Sequence, residues 1–283
     1  MRLIAIFPIL SLMLAGTTAV LCQEGPLRAG IDGTFAPHAM PKVDGTLDGF
    51  NVDLVKELEK QLGTKIQLDS VQFSGLVPGL QSGVYDFLAA PVSANAERAS
   101  SLLFTEGYVN TDFQLIVPKS GLALERLDDL KNKTIAVNKG STYDQWARGQ
   151  ASTVGWKVES FGTSVDAIQA ILSGKAVAML TGSTAAAWIV KQNPAVALSL
   201  KTSTGLVFAI PVKKDNPRLR ERLDLAIECL KQAGIIAQLH QKWFGIPPDP
   251  DSASVTIYPG LGVPDVAGYD PTPHPAPECK PKT

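Results

Sequence analysis

Few residues in this chain have the types and spacing that do chemistry. His38, His240 and His274 are scattered, as are Cys22, Cys229 and Cys279, and none of them falls at the spacing of metal ligands. No Ser/His/Asp set, phosphate-cradling glycine loop or glycosidase-like pair of carboxylates can be assembled. One segment does offer a site. Gly140-Ser141-Thr142 follows a strand-like run ending at Val137 and opens a helical pattern. Backbone N–H groups and a hydroxyl at a helix start meet an anion well, although the same residues also serve as an ordinary N-cap. The chemistry on offer is recognition rather than bond making, with neither metal nor cofactor.

Such a site needs elements to hold it. Residues 27–31 read as a strand closed by Asp32 and Gly33, and residues 51–62 place Val52, Val55, Leu58 and Leu62 on one helical face. Strand, helix and strand follow at 65–71, 74–81 and 87–90. The rhythm resumes with strands at 134–137 and 176–180 and helices at 142–150, 165–173 and 184–191. This alternation predicts an α/β fold of mostly parallel sheets flanked by helices. Two extended stretches, 109–118 and 204–212, predict two crossings between lobes, with helices at 216–231 and 235–243 packing back on the first lobe. The expected organisation is a leader at 1–22, a first lobe at 23–110, a second at 111–206, a return at 207–245 and an extension at 246–283.

Met1-Arg2, the apolar residues 3–14 and the small residues Ala15 to Ala19 describe a secretory leader cut near 19–22. The apolar part is shorter than the roughly 20 residues of a membrane span. The mature chain is therefore expected in the periplasm, and Leu21 before Cys22 speaks against a lipid anchor. With 26 basic and 27 acidic residues and no Lys/Arg block, the chain has no electrostatic footprint for nucleic acid or anionic membrane. An oxidising compartment permits Cys229 and Cys279 to pair; a bridge and two free thiols both remain open. Ten of the 20 prolines fall between Pro247 and Pro281, which rules out a helix or central strand there. The extension reads as disordered or surface-hugging in preference to a partner-binding arm.

Over residues 27–245 the chain resembles the family-3 solute-binding proteins of bacterial ABC transporters. The resemblance rests on ordered motifs: Leu27-Arg28-Ala29-Gly30-Ile31-Asp32-Gly33-Thr34-Phe35-Ala36-Pro37, then Gly49-Phe50-Asn51-Val52-Asp53-Leu54, then Phe73-Ser74-Gly75-Leu76-Val77-Pro78-Gly79-Leu80 before Asp86. Glu97-Arg98, Phe104-Thr105, Lys139-Gly140-Ser141-Thr142 and Lys242-Trp243-Phe244-Gly245 follow in register. It implies a two-lobed periplasmic-binding-protein fold, monomeric, that closes by a hinge motion on a small solute and is read by an ABC permease.

The resemblance also implies a site. Ser93 and Arg98 fall where the family holds a ligand carboxylate, which a guanidinium can meet with two charge-assisted hydrogen bonds. The alternative for Arg98 is a salt bridge with Glu97 or Glu106. Ser141 and Thr142 extend the site from the second lobe; Asp32 and Phe35 match positions that touch the ligand's polar end and apolar face; Phe50 and Phe73 read either as further walls or as ordinary core packing. His38 reads as a surface loop residue. Pro91 replaces a usual Gly, its carbonyl still an acceptor. The departure is Gly182, where the family places an Asp that pairs with an α-ammonium. An ammonium buried without its partner costs about 3 to 5 kcal/mol. The ligand is then either a cation received by Asp32 or a carboxylate without an α-ammonium, hydrogen-bonded by Thr181, Ser183 and Thr184. Polar amino acids, modified amino acids and related organic acids are the expected classes. Two rivals carry the same fold: a cyclohexadienyl dehydratase, which needs a carboxyl acid in the cleft, and a ligand-sensing accessory protein.

Overall fold

The computed structural model describes residues 25–121 and 123–280; the expected leader and the fate of Cys22 lie outside the described residues. The first part of the chain forms β1 (Leu27–Ile31), a short hairpin of β2 (Met40–Pro41) and β3 (Leu47–Asp48), α1 (Phe50–Leu62), β4 (Ile66–Ser70), α2 (Phe73–Gln81), β5 (Phe87–Leu88), β6 (Val92–Ser93), α3 (Ala96–Ala99) and β7 (Leu102–Phe104). The middle forms β8 (Val109–Pro118), a 3-10 turn at Leu127–Leu130, β9 (Thr134–Asn138), α4 (Thr142–Val154), β10 (Lys157–Phe161), α5 (Ser164–Leu172), β11 (Ala178–Gly182), α6 (Ser183–Gln192) and β12 (Val196–Ala209). The return adds β13 (Pro211–Lys213), α7 (Pro217–Gln232) and α8 (Ile235–Phe244).

Two mixed sheets result, ordered β4-β1-β5-β13-β7 and β10-β9-β11-β8-β12-β6. In each, three strands joined through helices run parallel, and the strands that cross between lobes add antiparallel pairs. Alternate residues of a strand face opposite sides, so both sheets are covered twice. In the second, Ala178 and Leu180 of β11 pack with Tyr143 and Ala147 of α4, while Met179 packs with Ile171 of α5 and Ile189 of α6. In the first, Leu54 and Leu58 of α1 meet Leu223, Ile227 and Leu230 of α7 on one face, and Leu76 and Leu80 of α2 fill the other. Each such side chain contributes roughly 1.5 to 3 kcal/mol by leaving water.

Two elements differ from the expected pattern. β10 is absent from the sequence reading because Lys157–Phe161 is an edge strand whose residues are all at least partly exposed, so no buried run marks it. β12 begins at Val196, well before the expected 204, because β6 covers only its last residues and the earlier part has one face in water. The extension after Ile246 is surface-hugging. Among the described residues it forms no helix or strand beyond one bridge between Leu261 and Asp270, lies along α7, and is tied to it by a Cys229–Cys279 disulfide with Cα atoms 5.3 Å apart. The bridge is thus the alternative realised.

Candidate functional site

α3 is a single turn whose purpose is to aim Arg98. Asn95 caps it by accepting from the Arg98 backbone N–H at 2.9 Å. The guanidinium is 6% exposed and donates to the carbonyls of Ser93 and Gly140, both at 3.3 Å, with the Phe73 ring 5.5 Å away. Burial pulls its pKa down to about 10, which leaves it charged at neutral pH. Its partners are carbonyls and an aromatic face. Glu97 instead accepts from Gln145 and Glu106 pairs with Lys231, so neither expected salt bridge forms. A buried cation held only by neutral groups calls for an anion.

The anion has a place to go. Phe35, Phe73, Pro91, Ser93 and Arg98 on one side, and Asn138, Ser141, Thr142 and Tyr143 on the other, line one small cavity. Its volume is about 20 Å³, about the room of a single water, so the lobes are closed. Besides Arg98 to Gly140, the closure is held by Gln145 to Glu97 at 2.9 Å, Asn138 to Asp32 at 3.4 Å, and His38 to Thr184 at 2.8 Å. A larger, open groove lies beyond His38, among α6, β12, α8 and the start of the extension. It lacks Arg98 and the unpaired atoms described next.

The turn at Gly140-Ser141-Thr142 is partly self-satisfied. Gly140 N–H donates to Asp144 at 3.0 Å, and the Ser141 hydroxyl caps α4 while donating to the Asn138 carbonyl at 2.6 Å. What remains for a ligand is Thr142 Oγ1, buried without a partner, together with the equally unpartnered Asn138 Oδ1. Thr181 Oγ1 is in the same condition one strand over, abreast of Asn138 when the parallel register of β9 and β11 is continued.

Four of the expected site residues lie off this cavity. Asp32 is buried, its Oδ1 accepting from Thr34 N–H and hydroxyl at 2.9 and 2.7 Å and its Oδ2 from Asn138. Thr181 and Gly182 sit behind Tyr143, whose hydroxyl a Cβ at Gly182 would overlap. For Phe50 the core alternative is the one realised, which corrects its place among the walls: it is fully buried, stacked on Tyr108 at 6.0 Å and Phe244 at 5.1 Å, because the apolar start of α1 faces inward. His38 is a second correction. It is fully buried, ringed by Phe35, Phe50, Phe208 and Phe244, and bonded to Asn51 at 2.9 Å as well as to Thr184. Desolvation drives its pKa down to about 4, opposed by the hydrogen bond its Nδ1 gives to Asn51 Oδ1.

Residues 27–246 match the model of the bacterial extracellular solute-binding proteins, family 3. The chain belongs to that family. It is 28% identical over 225 residues to the L-cystine-binding protein TcyJ of Escherichia coli K12, covering 79% of this chain and 84% of that one. It is 25% identical to the L-arginine-binding protein of Pseudomonas aeruginosa, covering 78% and 88%. Among solved structures, an ancestral arginine-binding protein bound to arginine is 34% identical with a TM-score of 0.75, covering 79% of this chain and 100% of that one. An ancestral amino acid-binding protein that is a precursor of cyclohexadienyl dehydratase is 28% identical with a TM-score of 0.73, covering 78% and 96%. This solute-binding protein thus has the two-lobed fold of its family, and its disulfide-tied extension lies beyond the matched segment.

Sequence reading passed over Asn138, Tyr143 and Thr111. Asn138 ends β9 immediately before the turn, and carboxyl ends of parallel strands are where such folds place ligand groups. Tyr143 is one residue beyond Thr142 in the first turn of α4. Thr111, on the crossing strand β8, lies beside Gly182, and no local pattern marks it.

Proposed function

We propose that this protein captures a small carboxylate-bearing solute in the periplasm, between a lobe built from 23–110 and 207–245 and a lobe built from 111–206, and delivers it as a monomer to an ABC permease. The observation that carries the reading is Arg98, a buried cation with only neutral partners on the wall of an interlobe cavity. The carboxylate contacts assigned are Arg98, Ser93 and Thr142, with Ser141 and the Pro91 carbonyl beside them and Phe35 and Phe73 as apolar walls. Asp32, Thr181 and Gly182 shape the site from behind. Relatives named for cystine and arginine binding support a solute of amino-acid size. The dehydratase reading would need a carboxyl acid at the substrate, and Asp32 is engaged by Thr34 and Asn138 away from the cavity. The test is calorimetric titration of the mature chain with carboxylates. Arg98→Ala is expected to lower affinity about a hundredfold or more, from the loss of two charge-assisted hydrogen bonds; unchanged affinity would remove the carboxylate assignment, and turnover of prephenate or arogenate would replace binding with catalysis.

A further inference from the structure

The second-lobe wall of the cavity is uncharged. Arg98 is the one charged side chain on the lining, and the acids just outside it are engaged elsewhere: Asp32 accepts three hydrogen bonds, Asp144 accepts from Gly140 N–H and Arg148, and Glu97 accepts from Gln145. Next to the expected carboxylate, the unpaired atoms are an amide oxygen, Asn138 Oδ1, and a hydroxyl, Thr142 Oγ1. The Tyr143 side chain occupies the space that any residue with a side chain at 182 would need. A Cβ there would overlap its hydroxyl and lie 3.1 Å from Thr111 Oγ1. The ring is fixed by Phe35 at 6.5 Å and Phe113 at 5.4 Å, and burial raises the phenol to about 12, so it stays neutral.

We propose that the cleft selects organic acids bearing a neutral hydroxyl beside the carboxylate over amino acids of the same skeleton, and that Tyr143 sets this choice by filling the room at Gly182 with an uncharged group. This rests on the carboxylate reading of Arg98. An ammonium in that position would stand beside a guanidinium in a desolvated site, with no carboxylate on the lining to receive it. A hydroxyl fits the unpaired atoms in both directions: it donates to Asn138 Oδ1 and accepts from the Thr142 hydroxyl. An oxo group accepts only and leaves Asn138 Oδ1 unpaired.

The experiment titrates ligand-stripped, refolded protein with matched sets: alanine, lactate and pyruvate; leucine, 2-hydroxy-4-methylpentanoate and 4-methyl-2-oxopentanoate; phenylalanine, 3-phenyllactate and phenylpyruvate. In at least one set the hydroxy acid is expected to bind tenfold or more tightly than the amino acid, with the oxo acid between. Tyr143→Phe keeps both the ring packing and the uncharged filling at Gly182 and should retain that preference. The double variant Tyr143→Ala, Gly182→Asp empties the space, supplies a carboxylate and should invert the preference. Wild-type protein that binds amino acids as tightly as hydroxy acids, Tyr143→Phe that loses the preference, or a double variant that keeps it, overturns the proposal while leaving carboxylate binding in place. Failure of every carboxylate to bind overturns the reading of Arg98 and this selection with it.

Discussion

In the cleft, Arg98 is paired with no acid and donates to carbonyls, and the buried oxygens Asn138 Oδ1 and Thr142 Oγ1 on its wall have no partner. Along α7 the opposite holds. Arg220, Asp224, Glu228 and Lys231 recur at helical spacing, yet each is no more than 6% exposed because the proline-rich extension covers them. Lys231 pairs with Glu106 at 3.1 Å and donates to the Thr256 carbonyl at 2.7 Å; Arg220 donates to the Leu261 carbonyl at 2.6 Å; Asp224 accepts from the N–H groups of Gly262 and Glu106. Both regions bury charge. Along α7 each charged side chain of this set has an internal partner, with only Arg220 Nε left over among their atoms, and the charge serves cohesion; the cleft withholds partners so that a ligand can supply them.

The contrast is sharpest in paired substitutions. Lys231→Met strands the buried Glu106 carboxylate and is expected to lower unfolding free energy by about 3 to 5 kcal/mol, read by chemical denaturation. Arg98→Ala strands no acid, so the same assay should show stability held or raised while affinity falls. Equal destabilisation by the two would erase the distinction.

Reduction of the Cys229–Cys279 bridge, which closes a separation of 50 residues, should cost roughly 2 to 4 kcal/mol. Ligand affinity should be unchanged, since the cavity draws no residue from the extension. Loss of affinity on reduction would join the regions that are separated here.

The two regions also respond oppositely to pH. His38 faces Asn51, Thr184, four Phe rings and, more distantly, His240, with no acid among them to favour its charge. Its pKa is depressed from 6.5 to about 4, so its contribution is complete above about 6.5 and is lost as pH falls toward 4, reaching about 3 kcal/mol. Denaturation from pH 7.5 to 4 should show this slope, and His38→Asn should flatten it. Asp224 is raised to about 7, chiefly by burial and then by Glu106. The folded state therefore holds its proton between about 3.8 and 7, and the stability that proton confers declines as pH rises through that range. The protection of the Gly262 amide, its exchange rate divided into the intrinsic rate at each pH, should fall from pH 5.5 to 8, a smaller effect confined to the extension, and Asp224→Asn should remove that pH dependence.

How much of this was legible follows the range of the forces. Helices α1, α5 and α7 show their apolar faces in sequence spacing, and their ends agree with the structure to within a residue. Arg98 was legible from its motif, and Thr142 from its place at a helix start. Tyr143 was not, because its importance comes from what position 182 lacks on another strand. His38 looked like a loop residue because loops are usually wet, whereas closure of the lobes surrounds it with Phe rings. The stripe Arg220, Asp224, Glu228 and Lys231 has the spacing of a solvated helix face, and proline content argued correctly against regular structure after 246. That one covers the other is a tertiary fact, invisible to either pattern alone.

The disulfide also changes how the molecule would carry force. The described chain enters through β1 and leaves at Lys280, whose N–H is bonded to Gln61 at the end of α1. Tension applied between those ends passes from residue 279 to residue 229 across the sulfur bridge, bypassing α8 and almost all of the extension. Stretching the oxidised protein would draw no length from that segment, and a reductant would release roughly 170 Å at about 3.4 Å per residue. Mechanically, the extension is slack held in reserve, while the load runs through the two lobes.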